Sequence, residues 1–549
     1  MEETRMNDGH GQTAGSRRRR LTRRGFLGQA ARIGAGAAAL ASVDDRGGWL
    51  RGLVTPADAQ PPKRGGALRF GLHTEPLTLS GTMTGGDQGL GIVMAAIYDT
   101  LCVTDYTTNT VKPSLAVSWS PKNATTWIVK LRQGVQFHKG YGEMTAADVA
   151  FTINTTIEKK HTGLFAWLSV QGSEVVDRHT VAIHLTQPYQ PFQLTSLGSV
   201  GGNVISKKAF EDMGREKFER NPVGTGPFEL TEWKDGSEIV VTRFENYWQP
   251  GLPYLDRIEF KVVKDPFVRQ NLLRAGGLDA IFAPQFKDLD ELRRTPGVAV
   301  HSVPGQAFDF VAFNPKDPVV GNRLVRQAVA YAINRNAIVS DVYHGHAVPT
   351  NIPTPKGFVG YTNKVWYPYG GDVGRAKQLL ADAGYPDGVS VPVIVNDKPQ
   401  LRRELEIISG QLARVGIKVE IQGLDWGTFN ARFFGPDVTK KNFRGVLRDI
   451  AIVSPDPDST VYWFHRKGTT GWLGFESAPI DRILDEARAE PSTDKRDQLY
   501  RQLFDLIIPE ATYIYTVHAN YVSAARANVR NWEQLPATLV RYANVWIER

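Results

Sequence analysis

The chain of 549 residues contains a single cysteine, Cys102. One cysteine excludes an internal disulfide and any cysteine-built zinc or iron–sulfur centre. It sits among apolar neighbours in IYDTLCV, the setting of a buried, inert thiol rather than a nucleophile. Histidine is sparse as well. Eleven are scattered along the chain, and the one tight pair, His344 and His346, lies in the Gly/Pro-rich stretch YHGHAVPTNIP, which reads as a solvated loop before a metal site. There is no H-E-x-x-H, no G-x-S-x-G, no G-x-x-x-x-G-K-[ST] and no G-x-G-x-x-G after a strand. Gly224-Thr225-Gly226-Pro227 is a turn, because proline interrupts the run of N–H groups a phosphate needs. A membrane span is missing too: it needs roughly 20 apolar residues, and the run over 33–43 is about half that and rich in Ala and Gly. Nothing here signals an enzyme, a metal or a cofactor.

What is present begins with charge. The net charge is +8, and half of it is local, since residues 1–59 hold ten Arg against six Asp or Glu. The remainder is a mild excess with no basic patch interleaved with aromatics, so nucleic acid is not an expected partner. The arginines at 17–20 are followed by LTRRGFLGQAARIGAGAAALAS, a basic region, a short weakly apolar run and small residues. That is the layout of a secretory signal. Thr22, Arg23, Arg24, Phe26 and Leu27 fill the places of the twin-arginine export core, which the segment resembles. Ala57-Asp58-Ala59 offers a cleavage site, with Ala39-Leu40-Ala41 as an earlier alternative, and no cysteine follows either to carry a lipid. The expectation is a signal over 1–59, passage through the twin-arginine translocase, and a mature chain in the bacterial periplasm without a lipid anchor.

The length calls for two or three domains. Trp127, Val129 and Leu131 alternate, as do Ile258, Phe260 and Val262, the pattern of half-buried strands. Leu324, Val325, Ala328, Val329, Ala332 and Ile333 share one helical face. A second helix starts near Val373, capped by Asp372 and stopped by Gly384, with Ala376, Leu379, Leu380 and Ala383 inward. VPVIV, a helix over 401–415 and the strand carrying Ile417, Val419 and Ile421 make a strand–helix–strand unit, hence a parallel pair. The fold class is α/β with mixed sheets in more than one lobe.

GGALRFGLHTEPLTLS, IYDTL, VKPSLAVSW, LRQGVQFHKG and TAADVAF resemble the extracellular solute-binding proteins of family 5, the dipeptide- and oligopeptide-binding components of ABC importers. NPVGTGPFELTEW, FENYW, LPYLDRIEFKVV, FVAFN, VRQAVAYAINR, AKQLLADAGYPDG, LARVGIKVEIQ and APIDRILDEAR continue the resemblance in family order over 64–549. It implies the two-lobed periplasmic binding protein fold with two hinge crossings. Lobe I would be 60–308 plus 521–549, with an extra subdomain over about 104–205, and lobe II would be 309–520. It implies a monomeric receptor, without catalysis or cofactor, that encloses a small ligand between its lobes and hands it to a membrane permease. The alternatives are the same class with an opine, oligosaccharide, modified amino acid or metal chelate as ligand, a periplasmic hydrolase, or a structural or chaperone-like protein.

Ligands of such folds sit at strand ends where lobes meet. TMTGGDQ over 82–88 precedes a helix, so Asp87 and Gln88 are candidates at a helix N-terminus, although Asp87 as a plain cap explains it equally. Glu75 lies in the family-like TEP segment near the cleft. Trp426, Trp463 and Trp472 offer apolar walls or ordinary core, and Arg448, like Arg444, leads into the cleft-facing segment or lies on the surface. The most informative stretch is RDIAIVSPDPDS, 448–459. In peptide-binding relatives an aspartate three places before the acid of the following (D/E)-P turn receives the peptide's α-amino group. Aligned on Asp456-Pro457, that place holds Val453, followed by Ser454. Valine supplies no carboxylate, so either the ligand lacks an ammonium there or Asp449, Asp456 or Asp458 takes over.

Overall fold

Alternation of apolar and polar residues drives the first sheet. In the computed structural model, which describes residues 61–82, 88–159, 166–434, 443–450, 456–465, 477–537 and 540–549, Leu68 and Phe70 of strand Ala67–Leu72 are fully buried. So are Ile258 and Phe260 of strand Arg257–Val262, while Val262 is half-buried at its end. The signal segment 1–59, Asp87, Val453, Ser454 and Trp472 lie outside the described residues, and Gln88 and Arg448 are described by their backbone alone.

Seven strands make the first sheet, in the spatial order Val298–Val303, Tyr521–Arg526, Ala280–Phe282, Ala67–Leu72, Arg257–Val262, Glu238–Arg243, Phe228–Lys234. Ala67–Leu72 is parallel to both of its neighbours. Beside this sheet stands a four-stranded antiparallel one, Ala116–Asn123, Thr126–Leu131, Thr180–Leu185, Val170–Asp177, whose Trp127, Val129 and Leu131 point into the core. Helix Ala146–Glu158 is opened by a reciprocal cap between Thr145 and Asp148 and packs on strand Val170–Asp177.

The second sheet has five strands, Ile417–Leu424, Val389–Asn396, Gly445–Ile450, Phe308–Phe313, Tyr513–Tyr515. Its first two are parallel and joined by helix Pro399–Ala413. That helix begins two residues before the expected start because Pro399 supplies the fixed φ of a first turn. Helix Val373–Asp382 is capped by Asp372, whose Oδ1 accepts from the Arg375 N–H at 2.8 Å, and Gly384 turns the chain with φ 89°. Helix Arg323–Ala332 buries Val325, Ala328, Val329 and Ala332, with Ile333 buried just past its end.

One apolar core draws on residues between 308 and 517, and another on residues between 68 and 282 together with 521–545. The C-terminal VWIER does not join the large sheet. Trp546–Ile547 pairs with Val529–Arg530, and the segment between them brings Trp532 and Tyr542 onto Phe70 at 5.6 and 6.4 Å. The chain passes between the two cores at 304–307 and at 519–521. These crossings touch. A Cβ on Gly305 would lie 2.2 Å from the Ala519 carbonyl oxygen, so only glycine lets the two backbones approach this closely.

Candidate functional site

Parallel strands end on one edge of a sheet, and α/β proteins place ligands outside that edge. Strand Ala67–Leu72 ends at His73, and strands Val389–Asn396 and Ile417–Leu424 lead into Lys398 and Trp426. The two edges confront each other: burial first, then the charges of Arg269 and Lys398, hold the His73 imidazole down to about 3. His73 is therefore neutral and lies on Phe282 at 5.7 Å, with Tyr521 beyond it at 6.4 Å from Phe282. Across from it the Lys398 ammonium is 5.7 Å from the Trp426 ring. Trp426 is half-buried in the first turn of helix Trp426–Phe434 and lies 6.3 Å from Phe429.

The other predicted residues divide. Gln88 opens helix Gln88–Ile97. Arg448 is in strand Gly445–Ile450, opposite Phe310, and the neighbouring Arg444 is paired with Asp317 at 2.8 Å. Trp463 sits in a single helical turn, 6.3 Å from Tyr513 and against the core of residues 308–517. The Glu75 carboxylate accepts from Trp233 Nε1 at 3.1 Å and from the Gly236 N–H at 2.9 Å, which ties it to the hairpin of strands Phe228–Lys234 and Glu238–Arg243. It borders an open surface hollow with Leu77, Arg220, Asp235 and Lys264.

Asp456 and Asp458 are wholly buried. Asp456 Oδ2 is 2.7 Å from Arg496 Nη2, and its Oδ1 accepts from the Asp458 N–H at 3.1 Å. Burial raises the Asp456 pKa, while the Arg496 charge opposes it. Asp458 takes a two-pronged bond from Arg488, Nε at 2.8 Å and Nη2 at 2.9 Å, and a third from the Tyr189 hydroxyl at 2.9 Å. Arg496 is itself held by the Ala487 carbonyl at 2.9 Å. Each carboxylate thus has its own guanidinium in a buried site, and an added ammonium would have to displace one of them at the cost of an unpaired buried charge.

Reading the sequence missed His73, Tyr189, Arg488 and Arg496. His73 directly precedes the TEP segment, so the strand-end rule could have found it. The arginines stand in LDEARAEPSTDKRDQLY, on helices Ala478–Ala489 and Thr493–Ile507, with nothing local to show that they reach back to Asp458 and Asp456. Among the described residues no group of three or more His, Cys, Asp or Glu is placed to hold a metal ion, and no helix is long and apolar enough to cross a membrane.

Two α/β halves joined by two short crossings, with strand ends confronting one another, define a two-lobed binding protein. The family model "Bacterial extracellular solute-binding proteins, family 5 Middle" matches residues 110–472. The chain is 29% identical over 458 residues to Heme-binding protein A of Haemophilus influenzae, covering 78% of this chain and 82% of that one. It is similar to the periplasmic binding protein DppA from Helicobacter pylori in complex with peptide STSA, with TM-score 0.78 and 24% identity over 89% of this chain and 99% of that one. It is also similar to AgaA from A. tumefaciens R10 in complex with agropinic acid, with TM-score 0.77 and 26% identity over 88% of this chain and 99% of that one. The chain belongs to the bacterial extracellular solute-binding proteins of family 5. It has the two-lobed fold of that family and works as a solute receptor for an ABC importer, not as an enzyme.

Proposed function

We propose that this receptor works in the periplasm as a monomer, reached through the twin-arginine translocase, and that it delivers to its permease a small polar ligand with no free α-ammonium at the Val453 position. The observation that carries the ligand reading is the neutralisation of Asp456 by Arg496 and of Asp458 by Arg488. With valine at 453 and both downstream acids engaged, an ammonium drawn into a closed cleft would lose its water without gaining a carboxylate, at a cost of several kcal/mol. Lobe I is taken as 60–308 with 521–549, including the subdomain over about 104–205, and lobe II as 309–520. The division of apolar cores supports these limits. Among the ligands named for similar proteins, heme, a peptide and agropinic acid, the peptide is the one this reading disfavours.

Calorimetry with di- and tripeptides tests it. Weak wild-type binding that improves in Val453→Asp is the expected result. Tight wild-type binding that requires the free amine would sink the reading and direct attention to Asp449. Export is tested separately: Arg23→Lys with Arg24→Lys keeps the charge and alters the recognised groups. The double variant should leave folded precursor in the cytoplasm, and normal appearance in the periplasm would refute the twin-arginine assignment.

A further inference from the structure

Away from the crossings, the two halves also meet at residues 187–191. The first half brings QPYQP, residues 187–191. Each proline fixes its own φ and pushes the residue before it toward extended backbone, so Tyr189 is presented by a stiff support. Its ring packs into the core shared with residues 68–282, while its hydroxyl donates to Asp458 Oδ2 of the other half at 2.9 Å. The next N–H, that of Gln190, donates to the Arg488 carbonyl at 2.8 Å. The Gln187 side chain lies near the Tyr462 hydroxyl. The Arg488 guanidinium, already paired with Asp458, lies 3.0 Å over the Tyr462 ring and 5.3 Å from the Tyr189 ring. Tyr189, Asp458 and Arg488 are all buried.

This arrangement is built to be reversible. The Asp458–Arg488 pair lies entirely within the second half, so parting the halves strands no unpaired charge. It exposes a neutral hydroxyl, a side-chain amide and a backbone N–H, each of which water can satisfy. Asp458 also follows Val453 by five residues in the chain.

We propose that residues 187–191 are a clasp in which Tyr189 acts as a positioning residue, holding the closed form through the Asp458–Arg488 pair and slowing ligand release. The proposal rests on the two-lobed receptor reading and is independent of which ligand is bound.

Spin labels at Lys122→Cys and Lys377→Cys, both exposed and one in each half, report the opening, and the native Cys102 is buried. Double electron–electron resonance is recorded without ligand and with the tetrapeptide Ser-Thr-Ser-Ala or agropinic acid. The wild type should show a short-distance population, and Tyr189→Phe should lower the closed-to-open ratio about tenfold, the size that loss of a hydrogen bond to a charged group supports. Any probe that binds should leave the variant about tenfold faster, with its association rate and the melting temperature of the ligand-free protein unchanged. Gln187→Ala, a milder variant, should lower the ratio by about threefold or less, since no charged partner is lost. Equal ratios in wild type and both variants, or no short-distance population in the wild type under any condition, overturn the clasp. If neither probe binds, the choice of ligand is refuted, and the ligand-free ratio still decides the clasp.

Discussion

Two of the contacts between the halves differ in kind, and the contrast between them explains how such a molecule can move. At the crossings the contact is backbone on backbone: Gly305 lies against the Ala519 carbonyl with no room for a methyl group, on segments that the chain itself holds together. At 187–191 the contact is polar and joins residues 269 apart, Tyr189 and Asp458. The first cannot come apart and so serves as a pivot. The second costs nothing in stranded charge when it opens, and so can work as a catch. Closure of two lobes about a ligand needs both, since a ligand shifts the equilibrium only by what it and the closed form gain together.

The largest expected effect comes from removing the support beneath the catch. Arg496→Met leaves Asp456 buried without its partner, and the protein should lose about 3–5 kcal/mol of stability, measured by urea unfolding. A loss no larger than that of a surface substitution would mean that Asp456 is not held by this pair.

Acid should act on the pivot instead. His518 Nδ1 is 3.2 Å from the Ala307 carbonyl in the first crossing, and burial lowers its pKa to about 4. Folded His518 therefore resists the proton that the unfolded chain accepts from about pH 6.5 downward, so stability falls as pH drops from 6.5 to 4 and levels below that. The maximum contribution is about 3 kcal/mol. His138, likewise lowered by burial to about 4, adds in the same direction. Asp99, raised by burial to about 6, keeps its proton in the fold and partly offsets the loss below pH 6. Melting curves against pH should show a slope that shrinks in His518→Gln; an unchanged slope would remove His518 from the account.

Gly305→Ala should cost about 1–3 kcal/mol as the crossings are forced apart, seen as a lower melting temperature. Asn109→Gly should do least. Asn109 Nδ2 donates to the Gly357 carbonyl at 2.5 Å near the surface, and the positive φ of 53° suits glycine. A change within about 0.5 kcal/mol in the same melting assay is expected, and a larger one would make this second bridge part of the catch.

Much of the scaffold could be read from local pattern. The alternation of Ile258 and Phe260, the inward face of helix Arg323–Ala332, the Asp372 cap and the strand–helix–strand unit all depend on neighbours a few residues away. The site depends on partners far along the chain, where local pattern is silent. Asp456 reads equally as a ligand group or a turn former until Arg496, forty residues on, is seen to neutralise it. Glu75 reads as a cleft residue, and nothing local shows that Trp233 and Gly236, more than 150 residues on, hold its carboxylate. The C-terminal strand Trp546–Ile547 and its partner Val529–Arg530 are each too short to be conspicuous.

The central claim is that the lobes close around a ligand, and small-angle scattering tests it most directly. For whichever of heme, Ser-Thr-Ser-Ala or agropinic acid calorimetry shows to bind, the radius of gyration should fall as the ligand saturates the protein. A profile that stays the same at saturation would contradict closure and point to a preformed pocket.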